Sequence, residues 1–124
     1  MTTTPELDAL AAASSADIRQ QNDAFRHCFA TQHDDANGFF MTRGVSSLGG
    51  DFVFNAVSRV VSFDDFTDDN DPYGEHDFGA FTYSGEKLNW KIDYFDNAMK
   101  YGSPDPRNAN VTKRVLTLML AEEY

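Results

Sequence analysis

Apolar and polar residues alternate most cleanly over residues 87–94, where Leu88, Trp90, Ile92 and Tyr94 fall between Lys87, Asn89, Lys91 and Asp93. Successive side chains of a strand point to opposite faces, so this spacing predicts a half-buried strand. Residues 78–83 (Phe-Gly-Ala-Phe-Thr-Tyr) predict a second strand, and Ser84-Gly85-Glu86 between the two is turn chemistry, so the pair is a hairpin. Earlier in the chain the period changes. Ile18, Asn22, Phe25 and Phe29, with Ala24 and Cys28 alongside, recur at helical spacing, and Ser15 is a suitable N-cap for a helix over about 16–29. Residues 39–42 predict a short strand. Phe52, Val53, Ala56, Val57 and Val60 form the stripe of a second helix that ends near residue 60, its first turn weakened by Gly49-Gly50. Val61, Phe63 and Phe66 predict a short extended piece. After the rigid Pro104-Asp105-Pro106 loop, Asn108 or Asn110 caps a predicted last helix carrying Val111, Val115 and Leu118, widened by Leu116, Met119 and Leu120.

The predicted order is α-β-α-β-β-β-α, an α+β fold with an antiparallel meander packed by about three helices. Residues 1–14 are expected to be a weakly docked arm and 15–124 a single domain. Trp90, Ile92, Phe81, Val115 and Leu118 are expected to be buried together, Trp90 facing the last helix. No internal repeat is visible in the sequence.

A chain of 124 residues supports one core, and eleven Phe, five Tyr and one Trp supply it amply. Disordered and disulfide-dense classes are excluded by this composition. No apolar run reaches the roughly 20 residues of a membrane-spanning helix. The first residues lack the basic and apolar regions of a secretory signal. Cys28 is the lone cysteine, which suits a reducing compartment, so a cytoplasmic protein is expected.

Charge changes the picture. Twenty Asp and Glu against ten Lys and Arg give −10. A field of that sign repels nucleic acid and anionic membranes and attracts a basic protein face, although charge also serves solubility. The acids are clustered. Residues 60–86 contain no Lys or Arg, and Asp64, Asp65, Asp68, Asp69, Asp71, Glu75 and Asp77 fall within 14 residues.

Three kinds of chemistry fit such a cluster. Carboxylates with Asn70 are oxygen donors for a divalent cation, but an EF-hand anchored on Gly74 places Tyr73 at loop position 5 and Ala80 at position 12, where acids are needed. A transition-metal site needs two or more of His27, His33 and His76 to converge, and they lie on three different predicted elements. Glu75, His76 and Asp77 together suggest a metal-assisted hydrolase. In extended backbone, however, His76 faces away from both acids, and tying the loop to the sheet is the commoner role. The third chemistry is mimicry of a phosphate backbone. Extended, seven acids over this stretch give about one charge per 6–7 Å, against one per ~1.7 Å of duplex, so mimicry requires the loop to be folded. Pro72 and Gly74 either display Tyr73 as a binding hot spot or let it plug the loop onto the sheet.

The segment Phe63-Asp64-Asp65-Phe66-Thr67-Asp68-Asp69-Asn70-Asp71-Pro72-Tyr73-Gly74-Glu75-His76-Asp77-Phe78-Gly79 resembles the signature of an uncharacterised bacterial family of small acidic proteins, common on plasmids and other mobile DNA. Residues 90–94, 101–106 and 114–120 extend the resemblance to roughly 16–124, with Asp68 standing where proline is expected. Mobile DNA often encodes small acidic inhibitors of host defence nucleases, so the resemblance implies by analogy a non-enzymatic inhibitor of a CRISPR or restriction effector. Asp64, Asp65, Asp68, Asp69, Asp71, Tyr73, Glu75 and Asp77 are the expected partner-binding residues, with no catalytic residue, metal or cofactor. The hydrolase centred on Glu75, His76 and Asp77 is the alternative.

Overall fold

The computed structural model describes residues 5–32 and 34–124. Four strands, β1 (Phe39–Met41), β2 (Phe78–Tyr83), β3 (Glu86–Phe95) and β4 (Lys113–Leu120), form one sheet in the order β1-β4-β3-β2. β2, β3 and β4 pair antiparallel, and β1 lies parallel to β4, so the sheet is mixed. Three helices precede the hairpin: α1 (Pro5–His27), α2 (Arg43–Ser46) and α3 (Gly50–Val61). The fold is α+β.

The β2–β3 hairpin forms as its alternation requires. Ser84 (φ 51°) and Gly85 (φ 80°) both adopt left-handed backbone, which is the two-residue turn whose twist matches the flanking strands. Leu88, Trp90 and Ile92 turn to one face and are buried there with Phe39, Leu116 and Leu118. The helical layer covers that face through Val45, Ala56, Val57, Val60 and Phe29, and Phe39 stacks between Phe25 (4.5 Å) and Phe29 (5.1 Å).

Several expected elements differ. The predicted last helix is a short 3₁₀ turn followed by β4, and the order becomes α-β-α-α-β-β-β. The reason is position. β4 lies between β1 and β3 and is buried on both faces, so its apolar positions run without alternation and resemble a wide helical face. Val115 therefore points away from Leu118: Leu116 and Leu118 join the main core, whereas Val115 and Met119 are buried on the opposite face. Trp90, Ile92 and Leu118 are buried together and Phe81 packs against them half-buried. Trp90 faces the helical layer and the aromatic rings of the loop that follows it, since the segment expected to be the last helix is β4.

Residues 61–66 are not a strand. Val61 closes α3, and the chain beyond it coils so that Phe63 and Phe66 set their edges against Trp90 at 5.6 and 6.1 Å. α1 begins ten residues ahead of Ser15, which lies inside it and caps nothing. Of the expected arm, residues 1–4 lie outside the described residues and 5–14 belong to α1; their docking falls on side chains that are not described before Ser14.

Candidate functional site

The chain from Ser62 to Asp77 joins α3 to β2 and holds all seven clustered acids. An irregular segment of this length needs partners for its backbone groups, and its own side chains provide them. Thr67 N–H donates to Asn70 Oδ1 (2.8 Å) and Asn70 Nδ2 donates to the Asp65 carbonyl (2.8 Å). Asp71 N–H donates to the Thr67 carbonyl (2.8 Å). Asp71 itself is 8% exposed, and its Oδ1 accepts from the backbone N–H groups of Glu75 and His76, both at 3.1 Å. One buried carboxylate thus closes the turn that carries Pro72, Tyr73 and Gly74. Gly74 adopts φ 68°, and its carbonyl accepts from Arg19 Nη1 at 3.1 Å.

Tyr73 stands at the apex, 76% exposed. Display, not plugging, is the outcome of the Pro-Tyr-Gly turn. Asp64, Asp65, Asp68 and Asp69 are exposed along the same loop. The other predicted binding residues turn inward: Asp71 is buried, and Glu75 and Asp77 are half-buried. The surface available to a partner is therefore four carboxylates and one phenol.

Behind the loop lies a polar frame supplied by α1 and the sheet. His76 is in left-handed backbone (φ 56°), not extended, which swings its ring toward α1. Its Nδ1 is 2.9 Å from Asp23 Oδ1, its Nε2 is 3.6 Å from Asp71 Oδ2, and the ring lies flat on Phe66 with centroids 3.7 Å apart. Asp23 Oδ1 also accepts from Arg26 Nη2 (3.2 Å), and Arg26 Nη1 donates to the Val60 and Val61 carbonyls at 2.6 and 3.0 Å. Arg26 satisfies the C-terminal end of α3 in this way, its guanidinium 5.1 Å from the Trp90 ring centroid. Burial holds the Arg26 pKa below its ordinary value, opposed by Asp23.

Asn22, fully buried, joins the remaining elements. Its Nδ2 donates to the Glu75 carbonyl (3.0 Å) and to the Tyr94 hydroxyl (2.8 Å), and its Oδ1 accepts from Arg114 Nε (2.6 Å). The Tyr94 hydroxyl in turn donates to Glu75 Oε1 at 3.1 Å. Burial pushes the Tyr94 phenol well above its usual range, and burial lowers Arg114. Asp77 is raised, first by burial and then by the neighbouring Glu75 charge.

Sequence reasoning missed Asn22, Asp23, Arg26, Tyr94 and Arg114 as parts of the site. One signal was present: Asn22 interrupts an otherwise apolar helical stripe, and a polar residue at a core position must have partners. Of the three histidines, His27 is exposed, His33 lies outside the described residues, and His76 is engaged as above. Among the described residues no group of three or more His, Cys, Asp or Glu is placed to hold a metal ion. Cys28 is half-buried, with Sγ 3.4 Å from the Ala24 carbonyl.

The profile of a family described as "Protein of unknown function (DUF3768)" matches residues 41–123. The chain belongs to the DUF3768 family. No curated protein and no solved structure matches the chain. The DUF3768 match takes in the acidic loop, the β2–β3 hairpin and β4; Asn22, Asp23 and Arg26, which brace the loop from α1, precede it.

Proposed function

We propose that this DUF3768 protein acts by binding, presenting its acidic loop to a basic surface on a partner protein. The supporting observation is the contrast within the loop. Asp71, Glu75 and His76 are spent on a braced interior, which leaves Asp64, Asp65, Asp68, Asp69 and Tyr73 exposed on a fixed scaffold. An exposed aromatic among charges is a common anchor of protein interfaces, and a pre-ordered loop loses little entropy on docking. The partner we propose is a nucleic-acid-handling defence effector of CRISPR or restriction type, inhibited by occupation of its basic channel in the cytoplasm. The net charge of −10 supports this class and argues against direct nucleic-acid or anionic-membrane binding. Among the described residues no helix is long and apolar enough to cross a membrane.

The hydrolase alternative has one favouring observation, the carboxylate of Asp23 on His76 Nδ1, as a general base requires. The other ring nitrogen faces buried Asp71, and Phe66 covers one face of the ring. That arrangement supports a clamp between α1 and the loop better than a base open to substrate.

The test is kinetic. With an effector recovered from a host carrying active defence systems, Asp68→Asn with Asp69→Asn should lower the association rate about tenfold at low salt, because steering charge is removed. Tyr73→Ala should act instead on dissociation. Asp71 is left unchanged, since replacing it would disturb the turn. Binding indifferent to salt, to both Asn changes and to Tyr73→Ala would reject this function.

A further inference from the structure

We infer that the free edge of β2 takes up an extended, basic segment of the partner as a fifth strand; this rests on the reading above that the partner is a protein with a basic surface.

The backbone geometry supplies the first argument. β2 is the last strand of the sheet on its side. Phe78 pairs with Lys91, and Ile92 N–H donates to the Asp77 carbonyl at 2.8 Å, so Asp77, Gly79, Phe81 and Tyr83 direct their peptide groups at β3. In an antiparallel pair the intervening residues direct both N–H and C=O the other way. Phe78, Ala80 and Thr82 therefore present three outward donor–acceptor pairs, and among the described residues nothing bonds to them. Unpaired edges of this kind are usually blunted by lysine, proline or a bulge. β2 contains no charge and no proline, and its residues pair with β3 in an unbroken register.

The surroundings select the occupant. Beside the strand runs a groove of about 410 Å³, bounded by Phe81 and Thr82 on one side and by Phe63, Asp64 and Asp65 on the other. Asp64 and Asp65 are exposed and have no ion-pair partner among the described residues. Arg59 also borders the groove, but its guanidinium lies over the Tyr83 ring, 5.5 Å from the centroid, toward the hairpin end. An incoming strand thus meets open hydrogen-bonding groups along its length and two free carboxylates at its flank. The backbone of the added segment satisfies the first, and its lysine or arginine side chains satisfy the second. A second copy of this chain would bring its own acidic loop against Asp64 and Asp65 with ten net negative charges behind it, which disfavours self-pairing. Addition of a peptide to a sheet edge draws affinity from main-chain bonds and specificity from the neighbouring side chains, here the two acids.

The probe is a capped hexapeptide of alternating lysine and valine, with a backbone N-methylated twin and a glutamate-for-lysine twin, each added to the full chain. Amide hydrogen exchange is read by NMR. At saturating lysine peptide, exchange at Phe78, Ala80 and Thr82 should slow about tenfold or more, while Gly79 and Phe81, already bonded to β3, change little. Neither twin should produce this slowing. Asp64→Asn with Asp65→Asn should weaken binding several-fold. Ala80→Pro removes one outward N–H and should abolish protection; if that variant fails to fold, the N-methylated twin decides the same point. Binding of the lysine peptide without slowing at these three amides would overturn the inference, as would equal slowing by either twin. Protection in the free protein that grows with its own concentration would also overturn it, in favour of self-pairing. Unmoved edge amides with partner binding still lost on Asp68→Asn and Asp69→Asn would reject the strand addition alone. Slowed edge amides with partner binding indifferent to salt and to those changes would reject the acidic-loop reading.

Discussion

Gly79 crosses the indole of Trp90 at a distance that admits no side chain. A Cβ there would come within 2.3 Å of Trp90 Nε1 and 2.9 Å of Phe63 Cε1, and both rings are fixed in the aromatic cluster. Gly79→Ala should therefore destabilise the protein by about 1–3 kcal/mol, the usual cost of overpacking, seen as a lower urea midpoint. Asp77 is a second sensitive position. Its raised pKa means that the folded state holds the proton more tightly than the unfolded chain, so this group's contribution falls as pH rises from the ordinary carboxylate value to the folded one. Asp77→Asn should accordingly raise the melting temperature near pH 7, and the difference should vanish at about pH 3, where both side chains are neutral. A melting difference independent of pH would show that neither burial nor the neighbouring charges raise this carboxylate. Single residues were unevenly legible in the sequence. Trp90 and Ile92 declared themselves by alternation, whereas Asp71 turns inward to accept from the N–H groups of Glu75 and His76, the latter in left-handed backbone, which no local spacing encodes.

At the scale of elements, α1 and the loop are joined through few but well-bonded contacts, and Asn22 is their centre. Asn22→Ala would strand Arg114 Nε and the Glu75 carbonyl in a part-buried site and leave the Tyr94 hydroxyl with its bond to Glu75 Oε1 alone. A loss of about 2–3 kcal/mol is expected, since several buried groups lose partners together. Amide exchange at Glu75 and His76 should quicken in the same variant; unchanged exchange there would mean that the loop holds itself without α1. The hairpin and α3 were readable because each has one buried face and one wet face, which imposes a period. β4 was not, because a strand covered on both faces loses its period and Val115, Leu116, Leu118 and Met119 then mimic a helical stripe. The piece at 61–66 was misread for a related reason. Phe63 and Phe66 are apolar at no regular spacing, and they serve as plugs against Trp90.

The whole molecule divides its labour between a sheet whose inner face is covered by helices and a charged loop at one edge. One of its two central strands, β4, is also the last of the four in chain order. The hairpin joins neighbours in the chain and can form as soon as residue 95 has been made. β1 has no such option: Phe39 pairs with Leu116, far downstream, and among the described residues β1 pairs with no other strand. During synthesis the ordering of β1 must therefore wait for β4, and closing so long a span is slow. Pulse-labelled refolding should show the amides of Gly79, Phe81 and Leu88 protected first, and those that join β1 to β4 protected together and later. Simultaneous protection of both sets would contradict this order. Until β4 inserts, the apolar inner face of the hairpin has only part of its cover, and that interval is when the nascent chain is most exposed to aggregation.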